Sequence, residues 1–126
     1  IEMLSDSGFR VRQVHTVVDC GLALDPVNVR SQIEGATVFG LTAAAYGEIT
    51  LNDGAVEQQN FDTYRMARLA QTPAMETLVL NNEDPPGGAG ELGVPAIAPA
   101  LAAALHSATG RWPRDLPFTR SGFSIA

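Results

Sequence analysis

The sequence predicts an α+β fold in which antiparallel hairpin strands support two main helices. Short segments rich in Val and Thr are separated by Gly, Asn, Asp and Ser, which is typical of strands joined by turns. Two longer segments, at about residues 26–46 and 95–108, have the length and apolar content of buried helices. At 126 residues the chain has the length of one domain, so residues 1–126 are predicted to form a single domain.

The first half of the chain is predicted to contain a strand, a long helix and a hairpin. Residues 9–19 follow a Ser- and Gly-containing turn and should form the longer strand of a hairpin. Asp25 is a suitable helix cap, and Pro26 suits the first helical position, so a helix is expected from about Pro26 to Tyr46. Two short segments on either side of Asn52-Asp53-Gly54, namely 48–51 and 55–58, are predicted to pair as a hairpin.

The second half should contain a loop, a strand, a glycine-rich connection and a second helix. Residues 64–73 are predicted to form a loop or a short helical turn, and residues 77–80 a strand. Residues 87–93 are rich in glycine, and the helix that follows should run from about Pro95 to Ala108.

Composition excludes several classes of function. Eight Arg and no Lys face fourteen acidic residues, so the formal charge is −6, and the arginines are scattered; nucleic acid and anionic membranes are therefore poor partners. No apolar run approaches the roughly 20 residues that span a bilayer. One cysteine, Cys20, cannot form an intrachain disulfide, and His15 and His106 have no nearby ligand partner, so no metal site made of side chains is expected.

Glu91 is the main candidate for a functional side chain because it lies within the glycine-rich segment, directly before the second helix. The positive end of that helix favours a carboxylate at this junction. Residues 88–93 also match G-x-G-x-x-G, but a dinucleotide site needs a strand that ends at the first glycine, and residues 81–86 intervene. A third interpretation is a tight connection with a solvated glutamate.

Several motifs together resemble a known family. Residues 90–101, Gly-Glu-Leu-Gly-Val-Pro-Ala-Ile-Ala-Pro-Ala-Leu, resemble the carboxyl-terminal end of the molybdopterin-binding large subunits of the xanthine oxidase family. The resemblance is greatest to the isoquinoline 1-oxidoreductase beta subunit and aldehyde dehydrogenase branch. Further matches follow in the family's order and cover nearly the whole chain: residues 18–21, 25–26, 29–35, 39–41, 46–50, 60–64, 108–110 and 116–117.

The resemblance implies roles for individual residues. Glu91 matches the glutamate that lies beside the molybdenum and acts as general base in the hydroxylation of an aldehyde or N-heterocycle with water as the oxygen source. Gln32 and Gly90 match positions that contact the cofactor, which in this branch is molybdopterin of the molybdenum cytosine dinucleotide type. Leu92 departs from the family, whose members often have Pro there, and leaves the local backbone less restricted.

The resemblance also implies that the chain is one part of a larger assembly. We expect it to be the carboxyl-terminal fragment of a large subunit, inactive and without cofactor when isolated. Its partners would be the rest of that subunit, a small subunit carrying iron–sulfur clusters and a small aromatic or aldehyde substrate, and exposed apolar faces could promote self-association. Two alternatives remain open, a non-catalytic assembly module and a dinucleotide-binding domain.

Overall fold

A computed structural model describes all residues 1–126, and the α+β class is confirmed. Two helices, α1 (Pro26–Tyr46) and α2 (Val94–Thr109), pack against each other and against small sheets. The strands and the short 3₁₀ turns are β1 (Glu2–Met3), β2 (Gly8–Arg10), β3 (Gln13–Asp19), β4 (Leu51–Asn52), β5 (Ala55–Val56), a turn at Leu69–Gln71, β6 (Ala74–Leu80), a turn at Phe118–Ser121, and β7 (Ser124–Ile125).

The predicted hairpin for residues 9–19 is wrong, because this segment forms two strands with different partners. β2 pairs antiparallel with β1 and parallel with β7, while β3 pairs parallel with β6 from Gln13↔Ala74 to Asp19↔Leu80. The chain returns through α1 before β6, and such a crossover brings the two strands together in the same direction. The short β4–β5 hairpin around Asn52-Asp53-Gly54 pairs antiparallel as predicted.

Helix α1 begins where its capping signal predicted. The Asp25 carboxylate accepts hydrogen bonds from the backbone N–H groups of Val27 and Asn28, each at 3.1 Å, and Pro26 occupies the first turn. The first free amides of α1 are therefore already bound to a side chain of this protein. This end of α1 consequently offers little to an external anion.

The two helices approach closely at Gly40. A Cβ atom on Gly40 would lie 2.9 Å from both the Val94 carbonyl oxygen and the Ile97 Cγ1. The helices share one core with the β1–β2–β7 sheet and the carboxyl-terminal segment, and its fully buried members include Phe9, Leu105 and Phe123. Glycine at position 40 thus sets the separation between α1 and the first turn of α2.

The glycine-rich segment is fixed at both ends, by Cys20 at its start and by α1 at its end. At its start, the Gly87 N–H donates to the Cys20 carbonyl at 2.8 Å. At its end, a Cβ atom on Gly93 would lie 3.0 Å from the Ala36 Cβ and 3.2 Å from the Ile33 carbonyl oxygen. These distances are tighter than ordinary contacts, so glycine suits this close approach to α1. Gly90 and Glu91, between the two contacts, lie beside α1 and line a depression with it.

One face of the β3–β6 sheet carries exposed apolar side chains. Val17 is 64% exposed and Leu78 is 58% exposed, and the two residues are opposite one another in the parallel register. The other face packs against α1. Neither helix combines the length and the apolar character that crossing a lipid bilayer requires.

Candidate functional site

A cleft lies between α1 and the segment that leads into α2, and we call it the α1–α2 cleft. Its volume is about 350 Å³, and it is open on one side. Seven residues line it: Gln32, Gly35, Ala36, Phe39, Gly90, Glu91 and Val94. The cleft therefore brings together the three residues singled out in the sequence, although nearly sixty positions separate Gln32 from Gly90 and Glu91.

The α1 wall of the cleft presents a polar side chain, bare backbone and an aromatic ring on successive turns. Gln32, Gly35 and Phe39 are spaced by three and four residues, which places them on one helix face. At a rise of about 1.5 Å per residue, Gln32 and Phe39 are separated by roughly 10 Å along the axis. Gln32 and Phe39 are exposed, so the amide and the ring are both accessible from the cleft.

The opposite wall carries Glu91 near the start of α2. The Glu91 carbonyl accepts a hydrogen bond from the Val94 N–H at 3.1 Å, while its exposed side chain lines the cleft. No side chain caps α2 at Gly93, so the positive end of the helix dipole is not neutralised locally. None of the three ion pairs of the chain involves Glu91, and its carboxylate has no arginine partner.

Two glycines leave the main chain of the cleft uncovered by side chains. A Cβ atom added at Gly35 or Gly90 would meet no atom within 4 Å. None of the backbone N–H groups of residues 88–93 donates to a backbone carbonyl. At Gly35 and Gly90 a ligand in the cleft can therefore approach the main chain without meeting a side chain.

The cleft also contains residues to which the sequence assigned no role. Phe39 is one of them, and only the structure shows that its ring is exposed and lines the cleft. A shallower groove continues from Gln32 past Cys20 and the start of α1 to Gly87 and Ala89. Gln32 lines both depressions, so its side chain lies at their junction.

None of the other candidate groups lines the cleft itself. His15 contacts Glu76 at 3.3 Å on the exposed face of the β3–β6 sheet. His106 stacks on Trp112, with ring centroids 4.3 Å apart, and Cys20 is a buried free thiol. No group of three or more His, Cys, Asp or Glu side chains is arranged to hold a metal ion.

The dinucleotide interpretation of residues 88–93 lacks its structural context. β6 ends at Leu80, and residues 81–87 separate it from Gly88. The dinucleotide-binding motif requires the first glycine to follow the strand directly, so that the pyrophosphate lies at the N-terminus of the following helix. The glycines instead form an extended connection whose ends are fixed by Gly87 and Gly93.

Comparison with known proteins identifies the family. The molybdopterin cofactor-binding domain family matches residues 6–73, just over half of the chain, a range that includes Gln32 but ends before Glu91. The chain belongs to this family, within the molybdopterin-binding large subunits of the xanthine oxidase type.

Individual relatives extend the match beyond residue 73. The chain is 31% identical to the isoquinoline 1-oxidoreductase subunit beta of Brevundimonas diminuta, over 90% of this chain and 14% of that protein. It is 34% identical to the aldehyde oxidoreductase molybdenum-binding subunit PaoC of Escherichia coli (strain K12), over 87% of this chain and 16% of that protein. The chain therefore spans only about one seventh of these relatives.

A solved structure confirms the fold. The reconstituted CO dehydrogenase from Oligotropha carboxidovorans superposes with a TM-score of 0.72 at 19% identity, over 86% of this chain and 15% of that chain. At this level of identity the likeness concerns the arrangement of helices and strands.

The residues of the α1–α2 cleft fit the polar part of a molybdopterin. The glycines Gly35 and Gly90 leave room for close approach, and the N–H groups of Gly90 and Glu91, which line the cleft, donate to no backbone carbonyl. Gln32 adds one further donor and one acceptor.

Proposed function

We propose that this chain is the carboxyl-terminal part of the large subunit of a molybdenum hydroxylase that oxidises an N-heterocycle or an aldehyde with water as the oxygen source. The observation that carries the proposal is the position of Glu91, a carboxylate without a cationic partner in the same cleft as Gln32 and bare backbone. Relatives named as molybdenum-binding and isoquinoline-oxidising subunits support the substrate and cofactor classes.

Glu91 is the general base of this proposal. The bound cofactor supplies the metal that activates water and accepts the two electrons of the oxidation. The Glu91 carboxylate accepts the proton that the water loses, and its exposed position allows it to reach the cleft. The absence of an ion pair matters because a bound guanidinium would compete for the same oxygens.

Gln32 and Gly90 are the cofactor-binding residues of this proposal. The Gln32 amide can donate to a carbonyl and accept from an N–H of a pterin ring, so it can fix the orientation of that ring. Gly90 brings the main chain against the cofactor without a side chain in between. We propose the molybdenum cytosine dinucleotide form, whose longer cofactor could use the groove that continues from Gln32 to Gly87.

The remaining parts of the enzyme come from other polypeptide. The α1–α2 cleft is open on one side, and the chain spans about 14% of its relatives, so the rest of the large subunit must enclose the cofactor. The exposed Val17 and Leu78 offer that portion an apolar contact. Electrons leave through iron–sulfur clusters on a small subunit, because clusters need several cysteines and this chain has one.

Replacing Glu91 in the assembled enzyme tests the proposal. We expect Glu91→Gln to lower kcat by about 10²- to 10⁴-fold, the usual contribution of a general base, with the molybdenum content unchanged. Glu83→Gln is the matched control, because Glu83 is an exposed glutamate before the glycine-rich segment and does not line the cleft. Unaltered turnover with retained molybdenum would instead favour a non-catalytic assembly module.

A further inference from the structure

Phe39 is an exposed aromatic residue in the wall of the α1–α2 cleft. Its side chain is 63% exposed, whereas Phe9, Phe118 and Phe123 are each at most 3% exposed in the core. It projects from the middle of α1, in which Ile33 and Leu41 are 1% and 2% exposed. Phe39 differs from the other exposed phenylalanine, Phe61, because it lines the cleft. Since burial of an aromatic ring is favourable in water, the Phe39 ring offers a contact surface to an apolar group in the cleft.

The order of residues along α1 indicates which part of a ligand meets Phe39. Gln32 and the bare backbone at Gly35 line the polar end of the cleft, and Phe39 lies roughly 10 Å along the helix from Gln32. The apolar Val94 and Ala36 complete the lining. A polar cofactor group at Gln32 and an apolar ring at Phe39 can therefore occupy different parts of the same depression.

We propose that Phe39 is a substrate-binding residue that packs against the planar ring of an aromatic N-heterocycle. The inference rests on the proposed function, since it takes the end near Gln32 and Glu91 as the cofactor end. Aromatic rings favour offset-stacked or edge-to-face contact with one another beyond the gain from simple burial. Phe39 thus selects flat heteroaromatic substrates over acyclic aldehydes and takes no part in proton transfer.

The direct test measures ligand binding in the assembled, molybdenum-loaded enzyme that also carries Glu91→Gln, so that a bound heterocycle is not turned over. Isoquinoline, quinoline and purine are the planar probes, and acetaldehyde is the acyclic one. Adding Phe39→Ala should weaken the tightest of the three planar probes by about tenfold, the effect of losing one ring contact. Acetaldehyde binding should change by less than about twofold.

Phe61→Ala is the matched control, because Phe61 is 85% exposed and lies outside the cleft. It should leave binding of every probe unchanged. Phe39→Tyr retains the ring and should restore binding, while Phe39→Leu retains apolar volume and should restore little of it.

Three results would overturn the proposal: equal affinity for planar probes with and without the Phe39 ring, binding of none of the planar probes by the enzyme with Phe39 intact, or loss of molybdenum and subunit assembly in Phe39→Leu. The last would show that another part of the subunit covers Phe39. Continued turnover in Glu91→Gln would instead contradict the general-base role. In that case the effect of Phe39→Ala on the KM for the planar substrates is measured in the enzyme with Glu91 intact. A failure of the role proposed for Phe39 can therefore be distinguished from a failure of the role proposed for Glu91.

Discussion

The close approach of α1 and α2 at Gly40 leads to a quantitative prediction about stability. Replacing Gly40 with Ala places a Cβ atom 2.9 Å from the Val94 carbonyl oxygen and from the Ile97 Cγ1. The carbonyl belongs to the backbone of α2 and cannot turn away, so the helices must separate. Overpacking of this kind costs about 1–3 kcal/mol, against a gain of about 1 kcal/mol in helix propensity.

Gly35→Ala provides the reference for this calculation. Gly35 lies in the same helix, and a Cβ atom there meets nothing within 4 Å. Both variants gain the same helix propensity, about 1 kcal/mol, so the difference between them isolates the steric cost at Gly40. We expect Gly35→Ala to be more stable than Gly40→Ala by about 2 kcal/mol.

Urea denaturation followed by circular dichroism measures the difference. With a slope of about 2 kcal/mol per molar urea, the two midpoints should differ by roughly 1 M. Parallel transitions with equal slopes are needed, because the comparison assumes two-state unfolding in both variants. Equal midpoints for the two variants would refute the view that the α1–α2 separation depends on Gly40.

Three further predictions concern single side chains. Asp25→Ala should lower the free energy of unfolding by about 1 kcal/mol in the same urea assay, whereas Asp25→Asn should change it little, because asparagine caps helices equally well; equal losses would exclude capping as the cause. Tyr46→Phe removes a hydroxyl that accepts from Gln71 at 2.6 Å and Arg65 at 3.3 Å, and should cost about 0.5–1.5 kcal/mol, because water can partly replace the hydroxyl for these half-buried and exposed donors; a melting temperature unchanged in calorimetry would contradict this. Gln32→Ala in the assembled enzyme should reduce the molybdenum content measured by mass spectrometry, and an unchanged content would remove Gln32 from the cofactor site.

Local signals were enough to predict both helices. The Asp25-Pro26 pair marked the start of α1, and α2 extends one residue beyond its predicted range at each end, from Val94 to Thr109. The β4–β5 hairpin was predicted from Asn52-Asp53-Gly54, whose Asp53 and Gly54 adopt the positive φ angles that such turns require. These features depend on neighbours in sequence, so the sequence contains the information that specifies them.

Strand partners could not be predicted in the same way. The alternation of side chains along residues 13–19 indicates which of them share a face of the sheet. It does not indicate that the paired strand lies about sixty residues away in the sequence, or that the pairing is parallel. The break between β2 and β3 was also missed, because Val and Arg at positions 11 and 12 continue the strand-like composition. Long-range pairing depends on the path through α1, which no local pattern specifies.

Only part of the candidate site could be predicted from the sequence. Glu91 and Gln32 were singled out chiefly by family resemblance, and the sequence contains no signal that they share a cleft. The two residues come together in the fold because of tertiary contacts. Gly93 packs closely against α1, and the Gly87 N–H donates to the Cys20 carbonyl. The exposure of Phe39 likewise depends on packing, because an aromatic residue in a helix is more often buried.

The central claim is that the Glu91 carboxylate lies beside the molybdenum of the assembled enzyme. A crystal structure of that enzyme, with the metal located by anomalous scattering at the molybdenum edge, tests it most directly. We expect the metal in the α1–α2 cleft, with the Glu91 carboxylate close enough to exchange a proton with a water molecule on it, directly or through one further water. A metal site elsewhere, or a Glu91 side chain directed away from the metal into solvent, would contradict the account.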